Sequence, residues 1–536
     1  MLPGLNCQQD FCSSRLPAIT LLALVIASVP IVVCMPLTSD TVLFDLQART
    51  VQDGGVLYRD VLEPNLPGVV WIHLLLRGLV GWSSEAMRTA DLLIVAAACV
   101  LLCRLTLSNL FPADNSLRVA PQISMHHRIW LPLLFMGLFY LSRNEWCHCQ
   151  RDSWMLLPVA LSLTVRTAAL CGKPQEFRNA LRLTEGFLWG VSFWIKPHIA
   201  ISVVTLFVLE MLISRGRRTA FCEIMLVICG GILAAVPGIF WLVQSGAWDS
   251  FVEMQLQWNP EYLQAGRERR TWTRVWYMLV RFHPWWVIHC LAVPCAVSRI
   301  RTVLIHRSSS TRSSDDLQTS VQIPAVYLSW LAQACLLQHA MDYIQVPPVI
   351  LGISVLASGV PAVPAMLKRQ LLAASASFVV ILSPQLRPER LSHWFDCFRE
   401  GSSWSMKTEL AQGRFPDWSN MKPVVEFLAD QNVRTGDVTC FTVHSIHIYD
   451  ALRIRPSTRY LGISILQELF PAHRDQIAET VKTSGHRYLV TDSDEAEMNP
   501  GHFPWNLPVV FRSGNFRVHR ADHGSDLSHA AVAVTE

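Results

Sequence analysis

Long apolar stretches alternate with short polar ones through most of the chain, and the pattern changes only near position 386. Apolar runs occupy 17–35, 85–107, 129–143, 153–171, 183–196, 197–213, 220–244, 275–297, 322–339, 345–366 and 370–386. Most have the roughly 17–25 residues that a helix needs to cross hydrocarbon. The pattern predicts an α-helical polytopic membrane protein of about 11 spans, with 183–196 as the shortest run. The first run is expected to be a retained span. Its flank carries only Arg15, and Val32-Val33-Cys34-Met35-Pro36 has no small-x-small cleavage site. Beyond 387 the periods shorten. "MKPVVEFLADQ" and "AHRDQIAETVKTSG" read as helices, "DVTCFTV" and "HRYLVTD" as strands, and "PVVFRSGNFRVHR" as a hairpin turned at Ser513-Gly514-Asn515. Alternation of this kind predicts a small α/β domain. The expected division is 1–386, a membrane domain with its first outer loop at 36–84, and 387–536, an extracytoplasmic α/β domain.

Composition agrees with the membrane reading: 51% of residues are hydrophobic and only 16% charged, at a mean hydropathy of +0.30. The net charge of +4 gives no reason to expect a nucleic-acid partner. Charge placement sets orientation. With the N-terminus inside, "RGRR" (215–218) and "RIRTVLIHRSSSTR" (299–312) fall inside, as do Arg166, Arg178 and Arg182. An odd number of spans then places 387–536 outside, with the chain in the inner (plasma) membrane. Several basic residues fall outside against the rule: Arg49, Arg59, Arg143, Arg151, Lys196, Arg267, Arg269, Arg270 and Arg274. Binding of an anionic ligand is one reason for such residues. Most of the 15 cysteines sit in apolar runs and read as small hydrophobes. Cys147-His148-Cys149 is the nearest thing to a metal motif, and Cys397 and Cys440 are candidates for a disulfide if the tail is outside.

The first outer loop is more than a connector. Asp40 stands at the exit of the first span, and on a helix Asp40, Phe44 and Ala48 share one face. "VQDGGVLYRDVLEPNLPG" (51–68) follows, then an apolar stretch suited to a helix lying in the membrane interface. The glycines and prolines turn the chain; Tyr58, Arg59, Asp60 and Glu63 lie between the turns. The next outer loop, "SRNEWCHCQRDSW" (142–154), holds Glu145, Gln150, Arg151 and Asp152. Lys196 and His198 sit in "FWIKPHIA", where Pro197 breaks a helix within apolar sequence. His339 and Asp342 lie in "QHAMDYIQVPP" between two late spans.

An Asp after the first span, an aromatic residue and Ala48-Arg49 at this spacing, then Gly54-Gly55, Tyr58-Arg59-Asp60 and Pro64-x-x-Pro67-Gly68, resemble the GT-C superfamily of polytopic glycosyltransferases. The nearest likeness is to bacterial proteins similar to dolichyl-phosphate-mannose protein mannosyltransferases and to the aminoarabinose transferase. "GFLWGVSFWIKPHIAI" (186–201) is similar to the Gly-rich helix ending in Lys-Pro of that group, and the tail resembles its outer α/β domain. The resemblance implies inverting transfer of a sugar from a polyprenyl phosphate or pyrophosphate, at the outer face of the bilayer. The acceptor would be a lipid, glycan or protein, with no nucleotide cofactor. Asp40 matches the superfamily's catalytic Asp, as base or as ligand to Mg²⁺ or Mn²⁺. In many relatives a Glu follows directly; here Thr41 does, so a second carboxylate is sought in Glu145 or Asp152.

Each candidate has a plainer reading beside it. "TSDTV" makes Asp40 part of a helix start. Asp152 can be a helix cap. Lys196 can be a lysine snorkelling at a helix end or a contact to lipid phosphate. Arg49, Tyr58, Arg59, Asp60, Glu63, Gln150, Arg151, His198, His339 and Asp342 are expected to line the substrate site or to hold solvated loops together. Trp248, Trp258, Glu261 and Tyr262 either stack on sugar or form an interfacial belt. A transporter or flippase of lipid-linked sugars and a non-catalytic membrane scaffold are the rival functions. A transporter gives less account of a polar outer domain and of carboxylates gathered at one surface.

Overall fold

The computed structural model describes residues 6–108, 123–214, 216–307, 313–359, 365–411, 416–492 and 503–521. Arg215 and Arg312 of the two inner basic clusters lie outside the described residues. The chain divides into two compact units. One comprises Met1–Val33, Ala86–Gly238 and Arg270–Arg399; the other comprises Cys34–Glu85, Ile239–Arg269 and Glu400–Glu536.

The first unit is helical. Helices occupy all of the expected apolar stretches but one. Among the described residues, Ser84–Thr106, Arg151–Leu170, Arg217–Gln244 and Val287–His306 are long and apolar enough to cross a membrane. Ile19–Cys34 with Ser39–Gln52 makes a fifth if the two are one broken span. The others are shorter or more polar. The exception is the stretch 275–297, where the structure differs from expectation. A short helix, Trp272–Arg281, ends before "FHPWW", and the membrane-length helix is Val287–His306. Pro284 has no N–H to continue the first helix, and the apolar residues that follow start the second.

Two features of the sequence explain how this unit packs. The glycines of "GFLWG" let the Gln175–Ile195 helix lie directly on Arg217–Gln244. A Cβ on Gly186 would overlap the Val227 carbonyl, and one on Gly230 would overlap that of Leu183. Small residues at a helix contact are how bundles gain close packing in lipid. Beside this crossing lies a buried ionic network. Arg166 contacts Glu185 and Glu210 at 3.0 and 2.6 Å, and Arg182 contacts Glu185, Glu210 and Glu223 at 2.8, 2.9 and 2.7 Å. Arg178 joins Glu223 to Asp315. These three arginines, counted above among the inner positive charges, are therefore neutralised by the protein itself.

The second unit is built on a four-stranded sheet of order β1-β2-β4-β3, with β1 Val438–Cys440, β2 Tyr488–Asp492, β3 Val509–Ser513 and β4 Phe516–Arg520. β1 and β2 are parallel; β2/β4 and β3/β4 are antiparallel. The hairpin turns at Gly514, whose φ of +53° suits glycine. The Trp418–Asp430 helix covers the sheet, with Phe427 stacked on Phe511 at 4.6 Å. Its N-cap Asp417 accepts from Asn420 N at 3.2 Å. Cys440 is a buried thiol at the end of β1 instead of half of a disulfide. The 239–269 segment belongs to this unit. Trp258 is 1% exposed, stacks on His473 at 3.9 Å and meets Phe470 edge-on. Glu261 accepts from Ala472 N at 2.8 Å, and Tyr262 stacks on Phe470. Trp258, Glu261 and Tyr262 are thus core contacts of their own unit; Trp248 stays exposed.

Candidate functional site

In the helical unit a polar cluster is built where helices break. Pro197 ends the Gln175–Ile195 helix and leaves Lys196 at its C-cap, 6% exposed. Its ammonium donates to Asp152 Oδ1 at 2.7 Å and to Gln338 Oε1 at 2.6 Å. Asp152 is fully buried on the one-turn helix Arg151–Trp154. The Gln338 carbonyl accepts from Arg270 Nη2 at 3.0 Å, and Arg270 also reaches the Leu336 carbonyl. Arg151 acts electrostatically on Lys196, and Lys196, Asp152, Arg151 and Arg270 all act on His198. The Lys196–Asp152 pair thus lies in the field of two arginines. Among the described residues, Asp152 Oδ2, Ser153 Oγ, His198 Nδ1, Arg270 Nε and Gln338 Nε2 are buried with no hydrogen-bond partner.

The neighbouring loop is braced rather than open. Asp342 accepts from Asn144 Nδ2 at 3.0 Å and pairs with Arg281 at 3.2 Å. Glu145 and Gln150 are buried; Arg390 acts electrostatically on Glu145. His339 is half-buried, in the same turn as Gln338. Asp91, inside the Ser84–Ser108 helix, accepts from the Tyr140 hydroxyl at 2.8 Å and from Trp154 Nε1 at 2.7 Å. His148 Nδ1 lies 3.6 Å from it. One buried carboxylate therefore anchors both sides of the 142–154 loop. Cys147 and Cys149 are buried beside His148.

In the other unit, Asp40 is half-buried in the first turn of the Ser39–Gln52 helix, whose N-cap is Thr38. Phe44 and Ala48 on its face are buried. One turn on, Asp45 is buried between Arg77 Nε and His73 Nδ1, each at 2.8 Å. Burial pushes its carboxyl up, but Arg77 and His73 together outweigh that and hold it below the usual range. This ties the helix to Gly68–Val80, the expected apolar stretch. Arg49 pairs with Asp450 at 3.0 Å and lies over Trp82 at 4.6 Å.

The residues between the turns close the loop upon itself. Tyr58 is buried at φ +70° and its hydroxyl donates to the Asn65 carbonyl at 2.8 Å. Glu63 is buried and accepts from Asn65 N at 2.7 Å and Asn65 Nδ2 at 2.5 Å. Arg59 and Asp60 are exposed and bind each other at 2.8 Å; Asp60 also accepts from Val56 N. The structure therefore brings Asp152, Arg151, Lys196 and His198 together, sets Asn144, Asp342 and Arg281 beside one another, and uses Tyr58, Arg59, Asp60 and Glu63 within their own turn.

Gln338 and Asp91 were not singled out from the sequence, and Arg270 was noted only among the outer basic residues. Asp91 could have been, since an ionisable residue well inside an apolar run is a functional signal. Nothing local marks Gln338. Among the described residues no group of three or more His, Cys, Asp or Glu side chains is arranged to hold a metal ion. The described residues around Asp40 do not by themselves supply three such donors.

No family model and no curated protein matches the chain. Solved structures do. Archaeoglobus fulgidus oligosaccharyltransferase AglB, in complex with an inhibitory peptide and a dolichol-phosphate, is similar over 90% of this chain and 70% of its own, at 11% identity and a TM-score of 0.43. ArnT from Cupriavidus metallidurans, bound to undecaprenyl phosphate, is similar over 94% of this chain and 98% of its own, at 12% identity and a TM-score of 0.48. At these identities and TM-scores neither likeness assigns a fold, a substrate or a residue role to this chain.

Proposed function

We propose that this protein is a membrane glycosyltransferase. It moves a sugar from a polyprenyl phosphate or pyrophosphate to a lipid, glycan or protein acceptor at the outer face of the membrane, with inversion. The observation that carries the reading is the cluster around Lys196. Lys196 is buried against Asp152 and Gln338, Arg151 and Arg270 act on the same group, and the whole lies at helix breaks in apolar sequence. A buried lysine near hydrocarbon is costly unless paired, and basic residues gathered there suit an anionic ligand. A lipid-borne phosphate would complete it. Its oxygens accept from Lys196, Arg270, Arg151 and the amide of Gln338, and its tail needs an apolar surround.

In the chemistry that follows, the acceptor hydroxyl or amine attacks the anomeric carbon and the C–O bond to phosphate breaks. The leaving phosphate keeps the electron pair, and the cations stabilise its growing charge. Asp40 takes the acceptor's proton, the role its place in the first loop suggests by resemblance. Multi-pass insertion in the plasma membrane and an extracytoplasmic C-terminal part belong to the same reading.

The test is the fate of the donor in cells. Cells lacking the protein should accumulate one polyprenyl-phosphate sugar, seen by mass spectrometry, which purified protein in liposomes then consumes. A flippase would move that lipid across the bilayer and leave its glycosidic bond intact. A scaffold would leave it untouched.

A further inference from the structure

Ser39 immediately precedes Asp40 and is fully buried. Its hydroxyl lies 3.4 Å from His444 Nδ1 and 3.4 Å from His447 Nε2. A hydroxyl has one proton. It can donate to one ring nitrogen, and it then meets the other ring best by accepting from an N–H. Such an arrangement needs one ring nitrogen bare, to accept the hydroxyl's proton, and an N–H on the other ring; two neutral imidazoles in complementary tautomers supply both. Burial favours that state, pushing His444 down to about 4 and His447 to about 3, with Lys407 and His444 adding to the effect on His447. His447 is also held edge-on against Trp418 at 4.8 Å.

The same segment holds the other end of the Asp40 helix. Asp450 lies three residues after His447 on the His447–Leu452 helix, and it takes Arg49 at 3.0 Å. That short helix is itself fixed. Cys440 N, at the end of β1, donates to the Tyr449 hydroxyl at 2.7 Å, and Ile446 and Ile448 are fully buried. Packing would be met by Ile446, Ile448 and Tyr449 alone. The polar contacts go instead to the residue before Asp40 and to the last turn of its helix.

We infer that the 444–450 segment of the C-terminal part is a positioning device for Asp40, with His444 and His447 acting through Ser39 and Asp450 acting through Arg49. This rests on the proposed role of Asp40 as base. The histidines touch no substrate; they set the helical turn from which the Asp40 carboxylate projects.

The test uses the full-length protein in liposomes, with Ser39→Ala, His447→Phe, their combination, and His447→Gln. Ser39→Ala removes one oxygen, so it keeps the question open to test even if His447→Phe fails to fold. His447→Gln returns a polar group near the Nε2 position. Two quantities are read: hydrogen exchange of the amides at 42–46, and kcat beside donor KM. We expect exchange at least about tenfold faster in Ser39→Ala and His447→Phe. We expect kcat down about tenfold or more, since a small misplacement of a reacting group costs that much, with donor KM unchanged. The double variant should be no worse than the poorer single one, and His447→Gln should recover part of the loss. Unchanged exchange and kcat in both single variants would overturn the inference, and so would additive losses. If exchange rises but Asp40→Asn is as active as wild type, the grip stands and the role of Asp40 falls.

Discussion

Lys196 Nζ and Asp152 Oδ1 lie 2.7 Å apart, and both side chains are buried. Removing one partner of such a pair leaves the other charge without compensation, at a cost of about 3–5 kcal/mol, whereas replacing both by apolar groups is often neutral. Lys196→Met should therefore lower the melting temperature sharply and abolish transfer. Lys196→Met with Asp152→Leu should regain most of the stability and none of the activity. Calorimetry and a transfer assay on the same preparations check this. A double variant that transfers sugar would show that the pair serves only the fold.

Asp91 braces the 142–154 loop through Tyr140 and Trp154. Asp91→Leu leaves both donors unmatched in the interior, at about 1–3 kcal/mol for each such group. Asp91→Asn keeps an acceptor oxygen. The leucine variant should lose stability and transfer together, and the asparagine variant should lose far less of both. Equal losses would mean that the charge of Asp91, rather than its acceptors, matters.

The overall plan was legible because it rests on long-range patterns. Runs of apolar residues gave the helices, and the switch to short periods gave the sheet domain with its hairpin at Gly514. The glycines of "GFLWG" were visible as a motif, though their partners Val227 and Ala234 were not. Side-chain roles were harder to read. Arg59 and Asp60 look alike in sequence whether they bind substrate or each other, and here they bind each other. Trp258 reads as a belt residue until its contacts with Phe470 and His473, more than two hundred positions away, are known. Gln338 could not be found from the sequence at all, since only the fold carries it to Lys196. The helix at 287–306 was misplaced because hydropathy averages over the break at "FHPWW".

The two buried imidazoles give a pH dependence. His444 and His447 have folded-state values of about 4 and about 3, below the unfolded value near 6.5. Between those limits the unfolded chain binds protons that the folded chain does not, so stability rises with pH there. Their contribution is full above about pH 6.5 and is lost as pH falls toward 4. Thermal unfolding followed by intrinsic tryptophan fluorescence should show stability lost on acidification over that window. His444→Leu with His447→Phe should flatten the dependence. An identical pH profile in that variant would assign it to other groups.

Orientation is open to a direct probe. The "RGRR" cluster and the basic stretch from 299 are predicted to be cytoplasmic and the sheet unit extracytoplasmic. Green fluorescent protein fused after residue 536 should be dark when exported by the general pathway, and alkaline phosphatase at the same point should be active. The reverse pattern would invert the whole assignment, Asp40 included.

The central claim is that the donor is a sugar on a polyprenyl phosphate, and following both halves of that donor tests it most directly. Purified protein in liposomes would receive a donor labelled in the sugar and in the phosphate, with acceptor and no nucleotide. The account predicts one sugar transferred, with inverted anomeric configuration, for each polyprenyl phosphate or pyrophosphate released. It also predicts that Asp40→Asn lowers the single-turnover rate by about a hundredfold or more, as loss of a positioned base does. Failure to form any glycoside while the donor is bound, or transfer that requires a nucleotide sugar, would contradict it.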